Sequence, residues 1–183
     1  MDLSAAFSGT LFMPDKEFLN SRSPVLLADG QTAAYVQWSS WTQRFSILDA
    51  RGAAVAECRP RGIFRRRFLV HAVPSGRTLV DLKPGAFRPF NGAELTVGGR
   101  PLRMRQTSMW SDRRFEFYAG QRLIGSIQPT TGVFSFRPDS YAFELPVAAM
   151  SGLEAISLAQ AVRAVVRGLR QSRSSGASGA GGA

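Results

Sequence analysis

The chain is poor in the residues that usually carry enzyme chemistry: 183 residues hold one cysteine and one histidine. A lone Cys58 excludes an intrachain disulfide and is compatible with a reducing cytosol. Arg59 follows it directly and could lower its pKa, but a structural thiol is the expectation. With a single histidine there is no His/Cys cluster for zinc. His71, in FLVHAV, shares a face by period two with Leu69 and Val73, which predicts a packed core histidine rather than a catalyst. No Gly-x-Ser-x-Gly elbow and no phosphate loop is present. The carboxylates are scattered. Asp49, Asp81 and Asp139 fall in or near turns, where Asp bonds its own backbone, and nowhere is there the oxygen density of a calcium loop. No metal site, cofactor or catalytic residue is expected.

Long apolar runs are missing too. The N-terminal MDLSAAFSGTLFMPDKEF has no basic region and no long apolar stretch, so it does not read as a signal peptide. The most apolar segment, near the C-terminus, falls short of the ~18 uninterrupted residues of a membrane span and is broken by Gln160, Arg163 and Arg167. The expected location is cytoplasmic, with peripheral attachment to a membrane as an option.

That segment, SGLEAISLAQAVRAVVRGLR (151–170), is the clearest element present. It is free of proline and dense in Ala and Leu, and its composition predicts an α-helix. Ser151 and Glu154 have the spacing of a capping box, and Arg163, Arg167 and Arg170 fall in the half favoured by the helix dipole. Its first half is apolar almost all round, from Leu153 to Val165, so it lacks the polar face of a surface helix and must be enclosed.

Most of what precedes it reads as β-structure. Residues 1–32 are read as an N-terminal segment of loops with one or two short edge strands. From Ala33 on, alternating runs recur about every ten residues: 34–38, 44–48, 53–58, 67–73, 77–83, 94–97, 101–106, 114–118, 122–128, 132–136 and 141–145. Each has one wet and one buried face. So many strands must close or stack to avoid open edges, and the enclosed helix gives the interior that closure needs. The expectation is a barrel or strongly curled sheet wrapped around the helix, over residues 33–170. FSILDARGAAVAE (45–57) and FEFYAGQRLIGSI (115–127) form a weak internal repeat. The tail 171–183, with no apolar residue larger than Ala, is expected to be disordered.

Segment 115–166, FEFYAGQRLIGSIQPTTGVFSFRPDSYAFELPVAAMSGLEAISLAQAVRAVV, resembles the second half of LURP-one-related proteins. FSILDARGAAVAECRPR and RRFLVHAVPSGRTLVDLKPG resemble the opening hairpins of that family. The resemblance implies the tubby C-terminal-like fold shared with phospholipid scramblases: mainly β, a closed antiparallel barrel of roughly 12 strands enclosing a hydrophobic C-terminal α-helix. It also implies lipid or membrane association. The tubby phosphoinositide pocket has no matching motif here, so none of its residues is carried over.

Net charge is +10, with 21 Arg against 2 Lys, while residues 1–33 are slightly acidic. Such a balance suits an anionic partner, or serves solubility alone. The densest feature is Arg59-Pro60-Arg61-Gly62-Ile63-Phe64-Arg65-Arg66-Arg67-Phe68. Read functionally, Arg59, Arg61, Arg65, Arg66 and Arg67 form an anion-binding loop at a barrel end, since guanidiniums bind phosphate bidentately, and Ile63 and Phe64 dip into a bilayer interface. Read structurally, it is a solvated connection packed on the barrel rim. Arg103 and Arg105 alternate onto one strand face, near Arg100, Arg113 and Arg114. Trp38, Trp41 and Trp110 are either interfacial anchors or rim packing. The preferred function is a non-enzymatic binding or scaffold protein whose partner is an anionic phospholipid surface, or else another protein. A nucleic-acid binder using the same arginines is the alternative, disfavoured because no regular aromatic platform and no free helix is present. An enzyme with an unrecognised loop site is the third.

Overall fold

The computed structural model describes residues 1–14, 22–39, 43–62, 67–107, 114–130 and 140–177, with side chains as far as Ser172. Among the described residues, twelve strands and one helix follow in chain order: β1 (Ala6–Met13), β2 (Arg22–Leu27), β3 (Thr32–Trp38), β4 (Phe45–Asp49), β5 (Ala54–Arg61), β6 (Arg67–Ala72), β7 (Thr78–Lys83), β8 (Glu94–Val97), β9 (Arg100–Gln106), β10 (Phe115–Ala119), β11 (Arg122–Pro129), β12 (Tyr141–Ser151) and α1 (Gly152–Ala177). Each strand pairs antiparallel with its neighbours in sequence, and β1 pairs with β12 to close the ring. Closure removes the open edges that so many strands would otherwise present.

The alternation places Leu11, Val36, Ile47, Val70, Leu82, Phe117, Phe143 and Leu145 inside. There they meet the helix, which is buried at every position from Glu154 to Val166. Four alanines, Ala155, Ala159, Ala161 and Ala164, keep this rod slim. Ile156, Leu158, Val162 and Val165 fill the space toward the strands, each contributing about 1.5–3 kcal/mol on full burial. The capping box forms as the sequence predicts. The Ser151 backbone N–H donates to Glu154 Oε2 at 2.9 Å, and the Glu154 N–H donates to Ser151 Oγ at 3.2 Å.

The two barrel ends differ. Connections at one end, 28–31, 50–53, 73–77, 98–99 and 120–121, are two to five residues long. At the other end, 14–21, 39–44, 62–66, 84–93, 107–114 and 130–140 are five to eleven residues long. We refer to these as the turn end and the loop end. The strand register shifts in five pairings, each time close to the turn end, as between Ile47 and Leu48 and between Phe117 and Tyr118. Such bulges add twist and curvature, which a closing sheet needs. The two mutually similar segments, 45–57 and 115–127, are both hairpins of this kind. The helix enters at the turn end. At ~1.5 Å per residue it outruns the strands and emerges at the loop end, where exposure rises from Arg167 to Ser172.

Several expectations need correction. Residues 1–32 contribute two full barrel strands rather than loops with short edges. Gly9, Pro14 and Pro24 interrupt their pattern in the sequence, yet β1 is hydrogen-bonded on both sides. The helix does not stop at Arg170 but runs to Ala177. Residues 178–183 of the expected tail, and the expected strand 132–136, lie outside the described residues. His71 is not a core residue: Phe68 and Val70 point inward, and His71 sits half-buried on the outer face with Nδ1 3.3 Å from Thr78 Oγ1. Leu69, on that same face, is covered although it is outside the barrel, which is why the apolar pattern misled.

If the helix fills the barrel, Val162→Asp buries an unpaired charge at a site 2% exposed. The expected cost is several kcal/mol, comparable with the stability of a whole domain. Thermal melting of the purified variant checks this, and a cooperative transition near the wild-type temperature would refute the enclosed helix.

Candidate functional site

The expected anion-binding loop is largely strand. β5 extends through Arg61 and β6 begins at Arg67, so Arg59, Arg61 and Arg67 stand on the outer wall near the loop end, with Arg61 opposite Arg67. Phe68 is 2% exposed and belongs to the core. Ile63, Phe64, Arg65 and Arg66 lie outside the described residues, as do Trp41, Trp110 and Arg113. Arg103 and Arg105 do alternate outward on β9, opposite Tyr118 and Glu116 of β10. Between the two arginine groups run β7 and β8, which carry Lys83 outward. The two clusters are therefore parts of one continuous stretch of wall, a relation the sequence alone does not reveal.

Much of this charge is matched locally. Arg59 Nη2 lies 3.1 Å from Glu57 Oε2, and Lys83 Nζ lies 2.7 Å from Glu94 Oε1. Arg67 grips both Asp81 oxygens, with Nε at 2.7 Å from Oδ1 and Nη2 on Oδ2. Asp81, expected near a turn and bonding its own backbone, is instead a strand residue serving Arg67. Asp49 does behave as expected, accepting from the Arg51 and Ala53 N–H groups at 2.9 Å each. The Arg103 guanidinium lies over the Tyr118 ring at 4.9 Å. Tyr118 donates to Glu116 at 2.6 Å, and this hydrogen bond, helped by burial, raises its pKa above the ordinary tyrosine value. Arg61 and Arg88 are both exposed, and Arg88 sits in the loop between β7 and β8.

Inside the loop end, Arg163 is 4% exposed, with its guanidinium 5.8 Å from the Trp38 ring centre and 5.9 Å from that of Tyr141. Arg167 lies 4.6 Å from the Trp38 ring. These are cation–π distances. Trp38 is thus interior packing under the helix terminus, not an interfacial anchor. Beside it is a cavity of about 10 Å³, lined by Met13, Phe115, Tyr141, Gln160 and Arg163 among others. That is the room of about one water, far below what a cofactor or acyl chain needs. The Gln160 amide Nε2 donates toward Met13 Sδ at 3.1 Å.

The turn end is closed by Glu154. Beyond its cap, its carboxylate faces Arg77 Nη1 at 3.7 Å and Arg100 Nη2 at 3.9 Å. It also presses on Gly98 of the β8–β9 turn, where any Cβ would collide with Oε1 and where φ is +57°. One carboxylate thereby ties the helix start to two hairpins. Only the cap was legible in the sequence. Arg100, expected as part of a basic cluster with Arg103 and Arg105, serves this other end.

Among the described residues, no three His, Cys, Asp or Glu side chains come together where they could hold a metal, and no helix is long and apolar enough to cross a membrane. Cys58 is 1% exposed, and burial pushes its thiol up to about 12 despite the adjacent Arg59.

No protein-family model and no curated protein sequence matches this chain. Its fold is similar to an X-ray structure of a protein from Arabidopsis thaliana, with a TM-score of 0.59 and 14% identity over 90% of this chain and 95% of that one. At that identity the likeness extends to the fold alone.

Two measurements test these assignments. Glu154→Ala removes the side-chain half of the capping box and both ion pairs, with an expected loss of about 1–2 kcal/mol. Arg77→Ala or Arg100→Ala alone should shift the melting point little, because each arginine is largely exposed. A wild-type melting curve for Glu154→Ala would disprove the tie. For Cys58 the folded pKa lies above the unfolded one, so the unfolded state releases its proton first as pH rises. Stability from this group is thus whole below pH 9.0 and falls progressively from there toward about 12. At pH 8, disulfide reagents should modify Cys58 only at the rate of unfolding, and rapid native-state reaction would contradict its burial.

Proposed function

We propose that this chain is a non-enzymatic binding protein that attaches peripherally to anionic membrane surfaces through the loop end of its barrel. The LURP-one-related, tubby-like affinity read from the sequence belongs to the same proposal, as does a cytoplasmic location. The observation that carries it is the polarity of the barrel. The long connections gather at one end, where the wall carries Arg59, Arg61, Arg67, Lys83 and Arg105, with Arg103 further along the same wall, and the loop above it carries Arg88. The small interior cavity favours a surface partner over an enclosed ligand. Because Arg59, Arg67 and Lys83 have carboxylate partners, the attraction rests more on the exposed Arg61 and Arg88.

Each basic residue near an anionic bilayer contributes about 1 kcal/mol. The double variant Arg61→Gln/Arg88→Gln should then bind phosphatidylserine-containing vesicles roughly thirtyfold more weakly than wild type, with an unchanged melting temperature. Binding should weaken as salt rises. Co-sedimentation checks both. Equal binding by the two proteins would remove the loop end as the contact. A wild type that ignores anionic vesicles at low salt but shifts oligonucleotides would replace this function with nucleic-acid binding.

A further inference from the structure

Phe87, in the loop between β7 and β8, is 98% exposed, far more than any other large apolar side chain among the described residues. Isolated exposed apolar residues are ordinary, but the loop holding this one is built. The Gly85 N–H donates to Pro89 O at 3.1 Å, the Gly92 N–H to Arg88 O at 2.9 Å and the Ala93 N–H to Phe90 O at 3.2 Å. The Gln106 N–H of β9 donates to Asn91 Oδ1 at 2.7 Å. Phe90 is 4% exposed and packs on the Phe115 ring with centroids 4.7 Å apart. At Gly85 a Cβ would meet Arg88 O and Gly92 O, each at 2.7 Å, so the two sides of the loop approach as closely as glycine permits. Phe90 is the foot of this structure and Phe87, three residues earlier, its tip.

We propose that the β7–β8 loop is an interfacial anchor that inserts Phe87 among lipid headgroups and upper acyl chains, with Arg88 contacting phosphates. This rests on the membrane reading above and names the part of the loop end that enters the bilayer. A membrane is favoured over a protein pocket because Phe87 stands alone among the described residues of its loop. A protein hot spot is ringed by further contacts that exclude water, whereas a bilayer interface accepts a single aromatic beside a basic residue. Tethering on both sides also means little ordering entropy is lost when the ring inserts.

The test compares wild type, Phe87→Ala, Phe87→Trp and Arg61→Gln/Arg88→Gln on phosphatidylserine-containing and pure phosphatidylcholine vesicles. Phe87→Ala should lose roughly tenfold in affinity for the anionic vesicles, the effect of partly burying one Phe side chain. Its melting temperature should stay at the wild-type value. Phe87→Trp should retain binding, and its added emission, taken as the difference from wild type, should shift to the blue on vesicles and be quenched by brominated acyl chains. If wild type binds and Phe87→Ala binds equally well, or the emission of the introduced indole stays that of a ring in water, the anchor is rejected while the arginine contact survives. If wild type binds no anionic vesicle, the membrane function and the anchor fall together.

Discussion

A helix with no polar face cannot rest on a surface, and the architecture follows from that constraint. Every side chain from Glu154 to Val166 is enclosed, so the sheet has to pass all the way round. Twelve short strands can do so only if the first and last of them pair. The β1–β12 seam is therefore not an ornament of the fold but the condition for hiding the helix. Even the polar residues of the helix obey the constraint. Glu154 is absorbed by its own cap and two arginines, and Arg163 is received by two aromatic rings.

Because the helix runs through the barrel from one end to the other, the ends take different work. The turn end is tight, bulged and closed by one carboxylate. The loop end carries the length, the exposed Arg61 and Arg88, and the outward ring of Phe87. In the proposed function, stability and partner contact lie at opposite poles, so that changes at Arg61, Arg88 or Phe87 need not disturb the core. On the wall between them, acidic residues cancel a good part of the basic charge, so a net charge of +10 overstates the field that a partner would feel.

The helix, its cap and most strands were legible because each rests on a local signal: all-round apolarity, a Ser–Glu spacing, strict alternation. What escaped depended on partners distant in sequence. β1 looks irregular alone and becomes a strand through β12, more than a hundred residues away. Arg67 looks like part of a free basic loop because Asp81 faces it only once β6 and β7 are in register. His71 was misplaced because Leu69, its neighbour on the outer face, is itself covered. Phe87 gives no signal at all: it falls between the runs 77–83 and 94–97, and nothing in the sequence distinguishes it from the buried Phe90 three residues on.

The order of elements along the chain bears on how the protein is made. The segment that fills the barrel is synthesised after every strand, and the strand that seals the ring comes just before it. Until both have emerged, eleven strands' worth of inward-facing Val, Leu, Ile and Phe has nothing to cover it, and β1 waits at an open edge. Topologies dominated by such late, distant pairings fold slowly and expose sticky surface meanwhile. A ribosome stalled shortly before Tyr141 would thus hold a nascent chain that chaperones must shield, and emergence of the helix would be the event that converts it into a closed barrel.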